Sequence, residues 1–284
     1  MKTINSLSGG KTSSYIAANY PADYNVFALV RIENQNCKFP DDKIRQIVED
    51  RIQAPFIGTA EDDIIIHTML DLEQFIGKEI TWVTGKTFEE TIHQYKMKNG
   101  GYYLPNKMTR YCTTDMKTKP IAEWRYKTIE GDAAMRFGFR ANETSRANKM
   151  VAKLNDRGMT EVKIIVGKGS TGRNKWKTIE YCKPEFPLIE AGIYKDTIEN
   201  FWFDKEVRFA YMNNCVGCWW RSPLLLKRMS EKHPNKMQFF ANLEEEAGST
   251  FRSDVKYSEI IKWKSQIEMF DDDFNECDAG YCGL

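Results

Sequence analysis

Apolar and polar positions follow two rhythms over the first 150 residues. Short apolar runs predict strands: INSL at the start, NVFALVRI (25–32), EITWVTG (79–85) and AAMRFGF (133–139). Between them, SSYIAANY, DDKIRQIVEDRI (41–52) and TFEETIHQYKMKNG (87–100) carry helical spacing, the last with Thr87 as N-cap and Gly100 beyond its end. Strands alternating with helices predict an α/β fold, a doubly wound, mostly parallel sheet of five or six strands with helices on both faces.

From about residue 160 the rhythm changes. VKIIVG and KWKTIEYC flank GKGSTGRN, the pattern of a hairpin with a Gly-rich, solvated tip. The rest reads as helical: AGIYKDTIENFWF, SPLLLKRMSEK with Ser222 as N-cap and Pro223 in its first turn, NKMQFFANLEEEAG, and YSEIIKWKSQIEMF. This divides the chain into an α/β domain over 1–190 and a helical, cysteine-bearing subdomain over 191–284. The aromatics Phe201, Trp202, Phe203, Trp219 and Trp220 are expected in the core.

Composition narrows the class. A chain of 284 residues, 42% hydrophobic and 29% charged, buries an ordinary core without disulfide staples. No apolar run approaches the roughly 20 residues of a membrane span, and no secretory signal precedes the first motif, so the expected address is cytoplasmic. Lys+Arg of 41 against Asp+Glu of 40 gives no global argument for a nucleic-acid binder and leaves a local basic face open. Seven cysteines in such a chain point to metal, cluster or redox chemistry. His67, His93 and His233 have no second histidine at i+3 or i+4, which argues against a histidine-based zinc site or triad.

The candidate chemistry begins in SLSGGKTSSY. A turn between a first strand and a first helix offers free N–H groups and the positive end of a helix dipole to an anion. Gly9 and Gly10 let the backbone approach it, Lys11 supplies charge, and Ser8, Thr12 and Ser13 supply hydroxyls. The loop is not a Walker A loop, and the alternative is a plain strand-to-helix turn with a serine cap. Further on, Arg140 and Arg146 suit bidentate anion binding, Lys117 adds a point charge, and Glu143 suits orienting an arginine or holding Mg²⁺. A surface ion-pair set is the alternative for that group. Cys215 and Cys218 stand in C-x-x-C spacing before a capped helix; with Cys112, Cys277 and Cys282 they make five candidate thiolates. Cys37 and Cys182 read as buried or incidental thiols.

SGGKTS resembles the SGGKDS pyrophosphate loop of the ATP pyrophosphatases, the adenine nucleotide α-hydrolase or PP-loop superfamily, with Thr12 in place of the aspartate. NQNCKFPDD (34–42), RYCTTDMKTKPI (110–121, with Cys112, Lys117 and Pro120) and FGFRANETSRA (137–147, with Gly138, Arg140, Glu143 and Arg146) resemble segments of its phosphoadenosine phosphosulfate reductase-like branch. These matches cover about 1–190. The resemblance implies an adenine nucleotide held by Ser8 to Ser13, Lys117 and Arg140, with Lys11, Arg140, Glu143 and Arg146 acting in catalysis and Mg²⁺ as cofactor. It also implies a [4Fe–4S] cluster on Cys112, Cys215, Cys218 and either Cys277 or Cys282, with zinc as the alternative. The terminal YCGL is similar to the ECGLH tail of the reductases, which would make Cys282 a nucleophile.

Two reactions are implied. In one, ATP adenylylates an acceptor, pyrophosphate leaves, and sulfur follows; in the other, a sulfonucleotide is reduced by thiols and releases sulfite. The acceptor could be a small molecule, tRNA or DNA. A homodimer, or a complex with a sulfur-delivery or modification partner, fits either case. A non-catalytic nucleotide-binding subunit or sensor is the reading that Thr12 supports.

Overall fold

The computed structural model describes residues 1–264. The chain opens with β1 (Lys2–Leu7), α1 (Lys11–Asn19), β2 (Tyr24–Leu29) and a two-residue β3 (Arg31–Ile32). It continues through α2 (Asp42–Ile52), β4 (Gly58–Thr59), α3 (Ile64–Ile76), β5 (Ile80–Thr84) and α4 (Phe88–Ile92). A long helix over 111–128 joins α5 (Tyr111–Thr113), a π turn (Thr114–Thr118) and α6 (Lys119–Thr128). Pro120 cannot donate to the carbonyl four residues back, and the widened turn precedes it. Then come β6 (Ala133–Arg136), α7 (Thr144–Val151), β7 (Thr160–Lys168), β8 (Asn174–Glu185), α8 (Pro187–Glu190) and α9 (Lys195–Trp202). The described chain ends in α10 (Pro223–Lys232), α11 (Pro234–Ala247) and α12 (Tyr257–Lys262).

Six strands form the main sheet in the order β5-β2-β1-β6-β8-β7. All its neighbours are parallel except β7, which pairs antiparallel with β8 as the predicted hairpin. Residues alternate between two apolar layers as the two-residue period of a strand requires. On β2, Val26 and Ala28 join Ile4, Val83, Met135, Ile121, Ala122 and Ala147 on one face, covered by α6 and α7. Phe27 and Leu29 join Ile16, Val48, Ile65, Met69, Trp82, Ile198 and Trp202 on the other, covered by α1, α2, α3 and α9. The sheet is thus wound on both faces. Among the described residues, no helix is long and apolar enough to cross a membrane.

A third apolar layer holds α10, α11 and α12, through Leu226, Met237, Phe240, Tyr257 and Ile260, against Val30, Ile32, Ala60 and Phe88. The segment 187–202 packs differently, since Leu188, Ile198 and Trp202 belong to the layer of α1 and α3. Of the aromatics expected inside, Trp202 and Trp219 are buried, but Phe203 is 92% and Trp220 50% exposed. Phe203 caps the end of its helix and the two tryptophans sit in the turn before α10, so only one residue of each pair is directed inward.

Two elements differ from the sequence expectation. The apolar run 25–32 is not one strand: Val30 breaks it, and Arg31–Ile32 turns away to pair antiparallel with β4 in a second small sheet. The helix expected over 87–100 ends at Ile92. Its start is as read, with Thr87 and Glu90 forming a capping box. Beyond it the chain folds back locally, with Met97 N–H donating to the Gly101 carbonyl at 2.7 Å and Lys96 bridging Tyr102. The two glycines that end the run serve this tight return.

Candidate functional site

The strand order reverses at β1 and β6, which lie side by side in parallel. At such a switch point the loops beyond the carboxyl ends of the strands diverge and leave a crevice for ligand. Those loops are Ser8–Gly10 and the FGFR segment. Gly9 has φ +81°, and a Cβ there would lie 2.4 Å from Ile65 Cγ2, so the first glycine is required by both conformation and space. Ser13 Oγ organises the turn: it accepts from Ser8 N–H at 3.1 Å and donates to the Gly10 carbonyl at 3.1 Å. Gly10 is the N-cap of α1 and supplies no side-chain cap bond.

The two loops touch. A Cβ on Gly138 would stand 3.3 Å from Thr12 Cγ2 and 3.6 Å from Ser13 N. Thr12 is buried, and its methyl group faces Gly138 at the position where the resembling loops carry an aspartate.

After Gly138 the chain delivers Arg140, Glu143 and Arg146. Glu143 Oε2 accepts from Arg140 N–H at 2.9 Å and from Arg140 Nε at 3.1 Å, while its Oε1 accepts from Arg146 Nη1. Burial opposes the Glu143 charge, but the Arg140 N–H and the two guanidinium groups hold its carboxyl below the usual range. Arg140 is buried, and Arg146 lies over the Phe139 ring, 4.5 Å from its centroid. Glu143 therefore acts as the orienter of both arginines.

Lys11 is paired with Glu199 of α9, and Trp202 Nε1 donates to the Lys11 carbonyl at 3.0 Å. Sequence reasoning missed Glu199, because 188 residues separate it from Lys11 and nothing local couples them.

Cys112, Cys215 and Cys218 converge on a second centre. Burial and the charge of Cys218 push the Cys112 thiol up, and burial followed by Glu61 does the same to Cys215, with Cys218 and Cys112 adding to it. Lys117 stands beside them, donating to Glu61 Oε1 at 2.6 Å. Burial disfavours the Lys117 charge, but Glu61 and Cys215 outweigh it and raise its pKa. Glu61 itself is wholly buried and bridges the backbone of Cys215. Three soft sulfurs with a cation at hand suit a thiolate-held cluster or zinc in kind. Cys277 and Cys282 lie outside the described residues. Among the described residues, no group of three or more His, Cys, Asp or Glu is arranged to hold a metal ion.

Burial lowers the Arg110 pKa against the opposing effect of Cys112 and Cys218, and Arg146 adds to the lowering. Cys37 and Cys182 are buried, each pushed up to about 12 by burial, and Cys37 belongs to the apolar layer against which Cys112 and Cys215 pack. No family model matches the chain, and comparisons with curated proteins and with solved structures find no match either, so the geometry of these two centres carries the functional argument.

Proposed function

We propose that the chain is a phosphoadenosine phosphosulfate reductase-like enzyme of PP-loop type. In this reading it binds ATP in the crevice between β1 and β6, adenylylates an acceptor and couples that step to sulfur transfer. The observation that carries this reading is the contact of Gly138 with Thr12 and Ser13. It joins a glycine loop at a helix N-terminus to a paired-arginine segment at the strand-order reversal, where an anionic ligand is expected.

In the proposed reaction, the Ser8–Gly10 backbone and Lys11 hold the β- and γ-phosphates. Arg140 and Arg146, fixed by Glu143, stabilise charge that builds on the α-phosphoryl oxygens. A nucleophilic atom of the acceptor forms a bond to the α-phosphorus as the bond to the bridging oxygen breaks, and pyrophosphate departs with the electron pair. Mg²⁺ bound with the nucleotide would supply further neutralisation of the phosphates. A [4Fe–4S] cluster, or zinc, would be held by Cys112, Cys215, Cys218 and a cysteine of the tail, and would supply thiolate-ligated sulfur or electron chemistry.

Pyrophosphate release from ATP by anaerobically purified protein, measured with and without acceptors and compared with Lys11→Ala, tests the reading. Release that depends on Lys11 supports it. Sulfite release from a sulfonucleotide in the same preparation, with no pyrophosphate from ATP, would replace it by the reductase reaction. ATP binding without either product would leave a nucleotide-binding subunit.

A further inference from the structure

A cavity of about 520 Å³ is lined by none of the residues assigned above to the nucleotide or the thiols. Trp219 and Trp220 form one wall, the 106–108 turn another, and Arg252 and Asp254 the rim. The indoles meet edge to face, 5.3 Å apart at 85°. Trp219 is buried and its Nε1 side serves Cys112, whereas half of Trp220 is exposed. The Arg110 guanidinium lies 5.3 Å from the Trp219 ring and 5.0 Å from the Trp220 ring. Trp219 thus has one side on this cavity and another toward Cys112.

The chain leading to the cavity has a marked charge bias. From Thr91 to Thr114 there is no aspartate or glutamate, while Lys96, Lys98, Lys107 and Arg110 supply four cations. Tyr103 is 51% and Met108 88% exposed along it. The nearby carboxylates are already engaged: Asp254 takes both arms of Arg252, and Glu246 faces His93. Exposed aromatic faces interleaved with cations form a surface on which bases stack and phosphates track.

We propose that this cavity receives an unpaired nucleobase of a single-stranded polynucleotide, stacked on Trp220, with the flanking phosphates on Lys107 and the basic 96–110 segment. This names the acceptor of the adenylylation and sulfur-transfer reading, on which it rests for its role though not for its binding test. The length of the basic segment favours a polymer over a free nucleotide, since one phosphate group needs one anion site and this surface strings cations along the chain.

The test is fluorescence anisotropy of labelled ten-residue oligodeoxythymidine and oligouridine with the full-length protein, at several salt concentrations. The wild type is expected to bind with a log-log salt dependence, and the arm with higher affinity identifies DNA or RNA as the source. Trp220→Ala is expected to weaken binding by about ten-fold or more, with Trp220→Phe recovering part of it. Lys107→Ala is expected to lower the salt slope by roughly one. Phe203→Ala, a control at another exposed aromatic, leaves affinity unchanged.

Equal affinity of wild type and Trp220→Ala overturns the inference. So does displacement of the oligonucleotide by thymidine or uridine monophosphate at the same concentration of nucleotide units, or no binding by the wild type. ATP binding measured on the same variants keeps the two ideas apart. Oligonucleotide binding that needs Trp220 in a protein that releases no pyrophosphate sinks the reaction and leaves this site standing.

Discussion

The Lys117 ammonium lies 2.6 Å from Glu61 Oε1, and it does so where Glu61 has no solvent exposure and the Lys117 side chain has 16%. The pair ties the π turn after Cys112 to the strand end that bridges Cys215, so it fixes the spacing of two thiol-bearing segments. Among the described residues Glu61 Oε2 has no hydrogen-bond partner, which leaves the carboxylate dependent on Lys117.

Removing one member of such a pair strands the other charge. Glu61→Ala is expected to cost about 3–5 kcal/mol in urea unfolding, and the double change Glu61→Leu with Lys117→Met to recover most of it. A loss below about 1 kcal/mol for Glu61→Ala would show that the pair is solvated and does not order the thiol segments.

The glycine loop makes a graded prediction. Gly9→Ala meets both a positive φ and the side chain of Ile65 at 2.4 Å, so it is expected to destabilise by about 1–3 kcal/mol. Gly138→Ala meets only Thr12 Cγ2 at 3.3 Å and is expected to cost less than about 1 kcal/mol. Its effect is on ligand: ATP affinity, read by calorimetry, is expected to fall at least five-fold as the two loops are pushed apart. An unaltered affinity would remove the contact from the binding site.

Much of this architecture is written in the local sequence. The apolar run of β2, the Thr87–Glu90 box and the Ser222 cap of α10 are local signals, and each marks a real element. The helix α3 was legible too, since Ile65, Ile66, Met69 and Leu72 recur at helical spacing, although no helix is assigned there from the sequence. The break at Val30 was not legible, because a buried strand and a strand that leaves its sheet present the same apolar run. In the candidate site, Arg140, Glu143 and Arg146 fall within one turn and could be read together. Glu61 and Glu199 could not, because each is brought to its lysine by tertiary packing alone.

Acid stability should depend on Asp62. Its Oδ2 lies 3.1 Å from His233 Nε2. Burial opposes the Asp62 charge, but His233, the Ile64 N–H and Lys236 outweigh it and hold the carboxyl below its ordinary 3.8. A carboxyl whose folded value is depressed contributes stability that is complete above the unfolded value and is lost as pH falls through the folded one. Asp62→Asn is expected to lower stability at pH 7 and to flatten its decline below about pH 4, as followed by urea midpoints. Parallel declines in variant and wild type would assign the acid limb to other carboxylates.

The thiols should separate by accessibility. Cys37 and Cys182 are 1% and 0% exposed and are pushed up to about 12, so the folded protein should not be alkylated at either in iodoacetamide at pH 8. Cys112, Cys215 and Cys218 are only partly buried. In folded, metal-free protein they should label ahead of Cys37 and Cys182, and anaerobic iron–sulfide reconstitution should protect them and add an absorbance band at about 400 nm, as expected for a cluster. Labelling of Cys215 and Cys218 at an unchanged rate after reconstitution would exclude them as ligands.

Lys11 already has an anion of the protein itself, Glu199, in a pair that is 35% and 36% exposed. Glu199 holds the Lys11 ammonium and Trp202 its carbonyl, so in the proposed reading an incoming phosphate would compete with a carboxylate, and its net affinity would be the difference between two ion pairs. Glu199 belongs to α9, so the same competition would couple the end of β1 to a helix far along the chain.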